Sequence, residues 1–225
     1  MNRLLKMLSS SIGRKLVMAV TGLLLCGFLL VHLAGNILLY VGPDAYNEYA
    51  HKLHEQEALL MVGEAGLILL FAAHVFLAIR LTMENRAARR KRYKMKESKI
   101  EERFSTVSSE NWMFTSGAIV LGFVILHLID FTFEARTDFA YADFSPYTKA
   151  VAILQNPISF AVYLAGSVIL GIHLGHGVRS AIQTLGLHHV KYNGLISLAS
   201  FLFASLVGVG FASFPLWAML FHRAG

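Results

Sequence analysis

Residues 16–41 read LVMAVTGLLLCGFLLVHLAGNILLYV, twenty-six positions without one aspartate, glutamate, lysine or arginine. A bilayer core of about 30 Å is crossed by about 20 mostly apolar residues in a helix, so this stretch predicts a transmembrane helix. Its run of Leu, Val and Ala does not alternate as a barrel strand must. Arg14 and Lys15 precede it, as basic residues precede a secretory signal. The apolar run is nonetheless far longer than a signal core of roughly 7–15 residues, and no small-residue cleavage site ends it. Cys26 sits mid-span, without the small residue that precedes a lipidated cysteine, and reads as a packing residue.

Four further stretches match the first: residues 58–83, 112–133, 157–178 and 195–221. Backbone groups in lipid must be satisfied internally, which leaves a helix bundle. The expected fold is therefore an all-α integral membrane protein, one domain over 1–225 with five transmembrane helices. Pro157 suits a first helical turn, and Pro215 is expected to kink the fifth span.

The whole composition agrees. Of 225 residues, 56% are hydrophobic and only 15% charged, with mean hydropathy +0.56; soluble domains carry about 25% charged residues. That excludes a disordered chain, a nucleic-acid module and an ordinary cytosolic enzyme. A single cysteine excludes a disulfide framework and a Cys-rich metal site.

Charge sets the expected orientation. Sixteen of the 20 Lys and Arg fall on the side of the amino terminus, against Lys52, Arg136, Lys149 and Arg223 on the other. The positive-inside rule then predicts a cytoplasmic amino terminus and an external carboxyl terminus. Residues 84–110 form a basic cytoplasmic loop, with seven basic residues between Arg86 and Lys96 and no acid among them. Two readings of the loop stay open: it sets topology and touches anionic lipid, or it docks a soluble partner.

Ionisable groups inside a bilayer are costly and read as functional. Four spans each carry a histidine within the apolar run: His32, His74, His127 and His173, with His176 added on the fourth. Depth sorts them. His32 lies seventeen residues beyond Lys15, about 25 Å along the helix and so near the outer face. His127, fifteen residues past Trp112 on a parallel helix, reaches a similar depth. His74 and His173 each lie sixteen residues along helices running back, past Ala58 and Pro157, so both approach the inner face. Two imidazole pairs result, each able to supply the two axial ligands of a haem iron. The irons would stand on the order of 15–20 Å apart. Zinc suits the pattern poorly, because neither pair has a third or fourth ligand. Gly35, Gly171, Gly175 and Gly177 allow a macrocycle or a neighbouring helix to approach closely.

Other residues admit two readings each. Glu64 and Asp130 are interfacial acids or proton acceptors beside the outer haem, where, on the family resemblance described next, a quinone site would need one. Glu48, His51, His54, Glu55 and Glu57 form a solvated amphipathic turn or the rim of such a site. Arg14, Arg80 and Arg179, at the inner helix ends, snorkel to headgroups or pair with haem propionates.

Residues 11–22 (SIGRKLVMAVTG), 32–36 (HLAGN), 47–50 (NEYA), 173–177 (HLGHG), Ser180 and 183–186 (QTLG) together resemble the cytochrome b subunit of succinate dehydrogenase or fumarate reductase, complex II. The variant resembled is the single-chain, five-helix, two-haem anchor of the bacterial cytoplasmic membrane, and the likeness runs over essentially the whole chain. It implies two haems b with His32, His74, His127 and His173 as axial ligands, and leaves His176 to packing or a propionate contact. It implies a flavoprotein partner with FAD and an iron–sulfur partner on the cytoplasmic face, with dicarboxylate chemistry on the partner. It also implies electron exchange with membrane quinone, menaquinone favoured, in either the succinate-oxidising or the fumarate-reducing direction, and a complex able to form a higher oligomer. Some two-haem members carry a glutamate two residues before the fourth-span ligand, tied to proton transfer; here that position is Gly171. Two other readings remain: a cytochrome b anchor of a hydrogenase or formate dehydrogenase type, and a structural anchor with no redox role.

Overall fold

A computed structural model describes residues 10–88, 110–139, 141, 144–187 and 189–220. Most of the basic stretch expected at 84–110, from residue 89 to 109, lies outside the described residues, as does Arg223. All regular structure among the described residues is helical.

Helix α1 (Ser11–Asn36) begins where the Ser10 hydroxyl accepts from the Gly13 N–H at 3.0 Å, satisfying one of the open donors of a first turn. After a bend at Ile37, the one-turn α2 (Leu38–Val41) completes the first span. Gly42, at φ 126°, stops it, a backbone conformation that side-chain-bearing residues rarely adopt. Pro43 then opens α3 (Pro43–His54), which has no buried residue.

Helix α4 (Glu57–Ala88) is 32 residues long, about 48 Å at 1.5 Å per residue. It packs mainly on α1 and buries no residue completely. Helix α5 (Glu110–Phe131) follows. The chain leaves it through Glu134, at a positive φ of 48°, and turns back over the helix end. Ser145 caps α6 (Pro146–Gln155), and Asn156 caps α7 (Pro157–Thr184), its Oδ1 accepting from the Ile158 and Ser159 N–H groups at 3.1 and 3.2 Å. A 3-10 turn (Val190–Tyr192) leads into α8 (Asn193–Leu220), which carries Pro215 inside it.

Five helices are long and apolar enough to cross a membrane: Ser11–Val41, Glu57–Ala88, Trp112–Phe131, Pro157–Thr184 and Val190–Leu220. Four of them extend beyond the apolar stretches by up to six residues, as at Val178 to Thr184, because polar residues continue a helix that hydropathy no longer marks, while the third ends at Phe131, two residues short of the stretch expected at 112–133. The exterior suits lipid: Leu59 and Leu69 are each 71% exposed, an arrangement a water-soluble surface avoids.

Helices α7 and α8 make the closest crossing. A Cβ on Gly171 would stand 3.1 Å from the Gly208 Cα, and one on Gly208 would stand 3.0 Å from the Gly171 Cα. Two cores flank this crossing. Val120, Leu170, Leu174, Ala204 and Val207 fill the middle of the bundle. Leu33, Leu39, Tyr147, Ile153, Tyr163 and Phe214 form the larger core beneath α6. The short α6 is thus a buried plug at one end of the bundle, while the other end holds Arg14, Arg80 and Glu84.

Candidate functional site

The four histidines fall in two places, and in one of them the rings meet. Toward the α6 end, the His32 ring on α1 and the His127 ring on α5 lie 5.8 Å apart, centre to centre, at an interplanar angle of 82°. Aromatic rings hold them: Phe28 stacks on His32 at 5.3 Å, and Phe211 of α8 lies 5.6 Å away. Phe131 and Tyr163 approach His127 at 5.1 and 6.0 Å. Two imidazoles bound to opposite sides of one metal ion have ring centres roughly 6 Å apart, given metal–nitrogen bonds of about 2 Å. The spacing of His32 and His127 fits that donor arrangement.

Nearer the other end stand His74 of α4 and His173 of α7, with His74 within electrostatic range of His173. Each ring is tied to a neighbouring helix by its Nδ1: His74 to the Thr21 Oγ1 at 3.2 Å, and His173 to the Ser116 Oγ at 3.0 Å. Both rings also lie flush against a glycine, since a Cβ on Gly22 would stand 3.2 Å from the His74 Cε1, and one on Gly117 would stand 3.3 Å from the His173 Cε1. Hydropathy passes over Thr21 and Ser116, because a small hydroxyl in an apolar helix bonds its own backbone and costs little. The mark that finds them is a hydroxyl–glycine step eleven residues before a histidine, present in both α1 and α5.

Asp130 is buried, not an interfacial acid open to headgroups. The Tyr163 hydroxyl donates to its Oδ2 at 2.8 Å, and Arg136 NH1 approaches its Oδ1 at 3.4 Å. The same NH1 donates to the Ser159 Oγ at 2.6 Å, and the Arg136 Nε donates to the Asp138 Oδ1 at 2.9 Å. The turn at Glu134 makes this possible by folding Arg136 back over the end of α5. Tyr163 touches both the Asp130 carboxylate and the His127 ring, so it joins this polar network to the histidine pair.

The remaining candidates scatter. Glu64 faces outward on α4. Glu48, His51, His54, Glu55 and Glu57 are all exposed; on α3, Lys52 donates to the Glu48 carboxylate at 2.6 Å, and His51 pairs with Glu55 at 3.4 Å. Arg14 and Arg80 converge on Glu84 at 2.9 and 3.1 Å. Arg179 and His176 are half-buried on α7, and His176 lies within electrostatic range of His173. Cys26 packs beside the middle core. Gly171 is a crossing residue with no room for a glutamate side chain on its Cα. Among the described residues no three His, Cys, Asp or Glu side chains gather around one metal position, which gives a four-ligand zinc site no donor set.

Fold and site together define a chain whose described residues form helices, five of them long and apolar enough to cross a membrane, with His32 and His127 in ring contact and His74 and His173 each held by a neighbouring hydroxyl. In comparisons with protein-family models, curated proteins and solved structures, nothing matches the chain.

Proposed function

We propose that this chain is the dihaem cytochrome b subunit of a succinate:quinone oxidoreductase, in a bacterial cytoplasmic membrane. The observation that carries the reading is the 5.8 Å approach of His32 and His127; His74 and His173, toward the other end, are each held by a hydroxyl of a neighbouring helix. Two pairs of neutral imidazoles, stacked along a bundle axis, form a donor set for two six-coordinate haems and for little else. Each haem, when bound, supplies a one-electron ferric–ferrous couple.

The chain's own residues do the rest. His74 and His173 belong to the end with Arg14, Arg80 and Arg179, which we assign to the cytoplasm, where an iron–sulfur partner with its flavoprotein delivers or takes electrons. His32 and His127 belong to the α6 end, on the quinone side. There Asp130 is the acid to exchange a proton with a quinone, through the Tyr163 hydroxyl that bonds it. Arg136 stands beside the Asp130 carboxylate, its NH1 3.4 Å from Oδ1. Arg14 clamps α1 to α4 through Glu84, which Arg80 also meets from within α4, and this supports a structural part for both.

The test is a set of difference spectra on the complex purified with whatever subunits accompany it. Two b-type α bands are expected in the intact chain. His127→Ala should delete one, His173→Ala the other, and His176→Ala neither. Succinate should still reduce the remaining haem in His127→Ala. A colourless chain, or one whose spectrum survives both ligand substitutions, contradicts the proposal; a different set of accompanying enzymes contradicts its assignment to succinate chemistry.

A further inference from the structure

The hydroxyl contacts on His74 and His173 recur with a repeat in the sequence. Residues 21–33 read TGLLLCGFLLVHL and residues 116–128 read SGAIVLGFVILHL, so the hydroxyl, both glycines, the phenylalanine, the histidine and the final leucine coincide. Residues 74–80 (HVFLAIR) and 173–179 (HLGHGVR) share their histidine and their arginine. Helices α1 and α4, and again α5 and α7, are thus two versions of one hairpin. The contacts match to within 0.2 Å: 3.2 and 3.0 Å for hydroxyl to Nδ1, and 3.2 and 3.3 Å for the glycine Cβ position to Cε1.

A hydroxyl has one proton. Thr21 gives its proton to the Met18 carbonyl at 3.0 Å, and Ser116 gives its own to the Met113 carbonyl at 3.2 Å. Each hydroxyl oxygen is then left with lone pairs toward the imidazole, so the hydrogen bond forms only if Nδ1 carries the proton. That leaves the Nε2 of each ring with its lone pair, and among the described residues no protein group bonds it. The other pair lacks the device: His32 and His127 are surrounded by rings, and among the described residues no hydroxyl or carboxylate bonds either imidazole.

The geometry points to Thr21 and Ser116 as paired positioning residues that lock His74 and His173 in the Nδ1–H tautomer and present both Nε2 atoms to one haem iron. The inference rests on the haem-carrying function proposed above. A hydrogen bond accepted from Nδ1–H makes the ligand more basic and favours the ferric state. Only one of the two haems is tuned in this way, so the duplicated hairpin yields two unequal carriers.

Thr21→Val and Ser116→Ala, singly and together in the complete complex, test this through haem content and redox titration. Affinity for the inner haem is expected to fall about ten- to a hundredfold. Its ferrous-to-ferric ratio at a fixed potential should rise, each tenfold step being about 59 mV for one electron. The outer haem should not move, and Thr21→Ser and Ser116→Thr should restore both properties. Two retained haems with unchanged potentials in the double variant would overturn the inference while leaving the function intact. Nitrogen NMR of the haem-free chain, labelled in histidine, separates the two cases. Two rings with a protonated Nδ1, lost in Thr21→Val and Ser116→Ala, support the tautomer lock even if the wild type binds no haem and the functional proposal falls. Nδ1–H populations unaffected by either substitution would overturn it.

Discussion

Asp130 lies one residue before the end of α5, and its carboxylate is among the most buried polar groups of the described residues. A buried carboxylate persists only when its oxygens are met by donors. Tyr163→Phe removes the 2.8 Å donor and is expected to destabilise the chain by about 1–3 kcal/mol, read as a lower thermal midpoint in detergent. An unchanged midpoint would mean that Arg136 alone suffices. Gly171→Ala should cost a comparable amount, about 1–3 kcal/mol, because the added methyl meets the Gly208 backbone rather than a movable side chain. The close helix approach at Gly171 was one of two readings its glycine allowed, but the setting of Asp130 was not legible beforehand. Asp130 looks interfacial from its place near a span end, since its partners lie 6 and 33 positions away and are reached only through the Glu134 turn. His32 and His127 were legible together because helix rise fixes depth, which sequence separation measures directly.

Short helices escape a hydropathy reading that strides in spans of about 20 residues. The ten-residue α6 lies between the apolar stretches 112–133 and 157–178, yet Ile153 within it is completely buried. Its junction with α7 depends on Asn156, whose side chain serves two backbone donors. Asn156→Ala should cost about 1 kcal/mol, and the Asn156→Asp change should recover most of it, both measured by the same thermal midpoint. The turn after α5 is predicted to respond to acid. Hydrogen bonds from Arg136 hold the Asp138 carboxyl below its ordinary value of 3.8. Its contribution is therefore complete above pH 3.8 and is lost as the pH falls through the lowered value. Amide protection factors across residues 132–139, corrected for the intrinsic pH dependence of exchange, should fall below that range and stay flat above it. Helix α3 was readable from its acids and histidines on one face, and it is exposed as such a face requires.

Five spans, their order and the apolar exterior follow from composition, because a bilayer admits few alternatives to a bundle. Composition does not show that α1 with α4 and α5 with α7 repeat one hairpin, nor that α4 rests mainly on α1 while α7 and α8 lock together at Gly171 and Gly208. These depend on which small residues meet across helices, a pairwise matter that no window average carries. The repeat also explains why the histidines come as two pairs: each hairpin supplies one imidazole at each depth. The most direct measurement is the haem-to-polypeptide ratio of the purified chain by pyridine haemochrome assay. Two haems b per polypeptide is the predicted result; one or none would contradict the two-pair account.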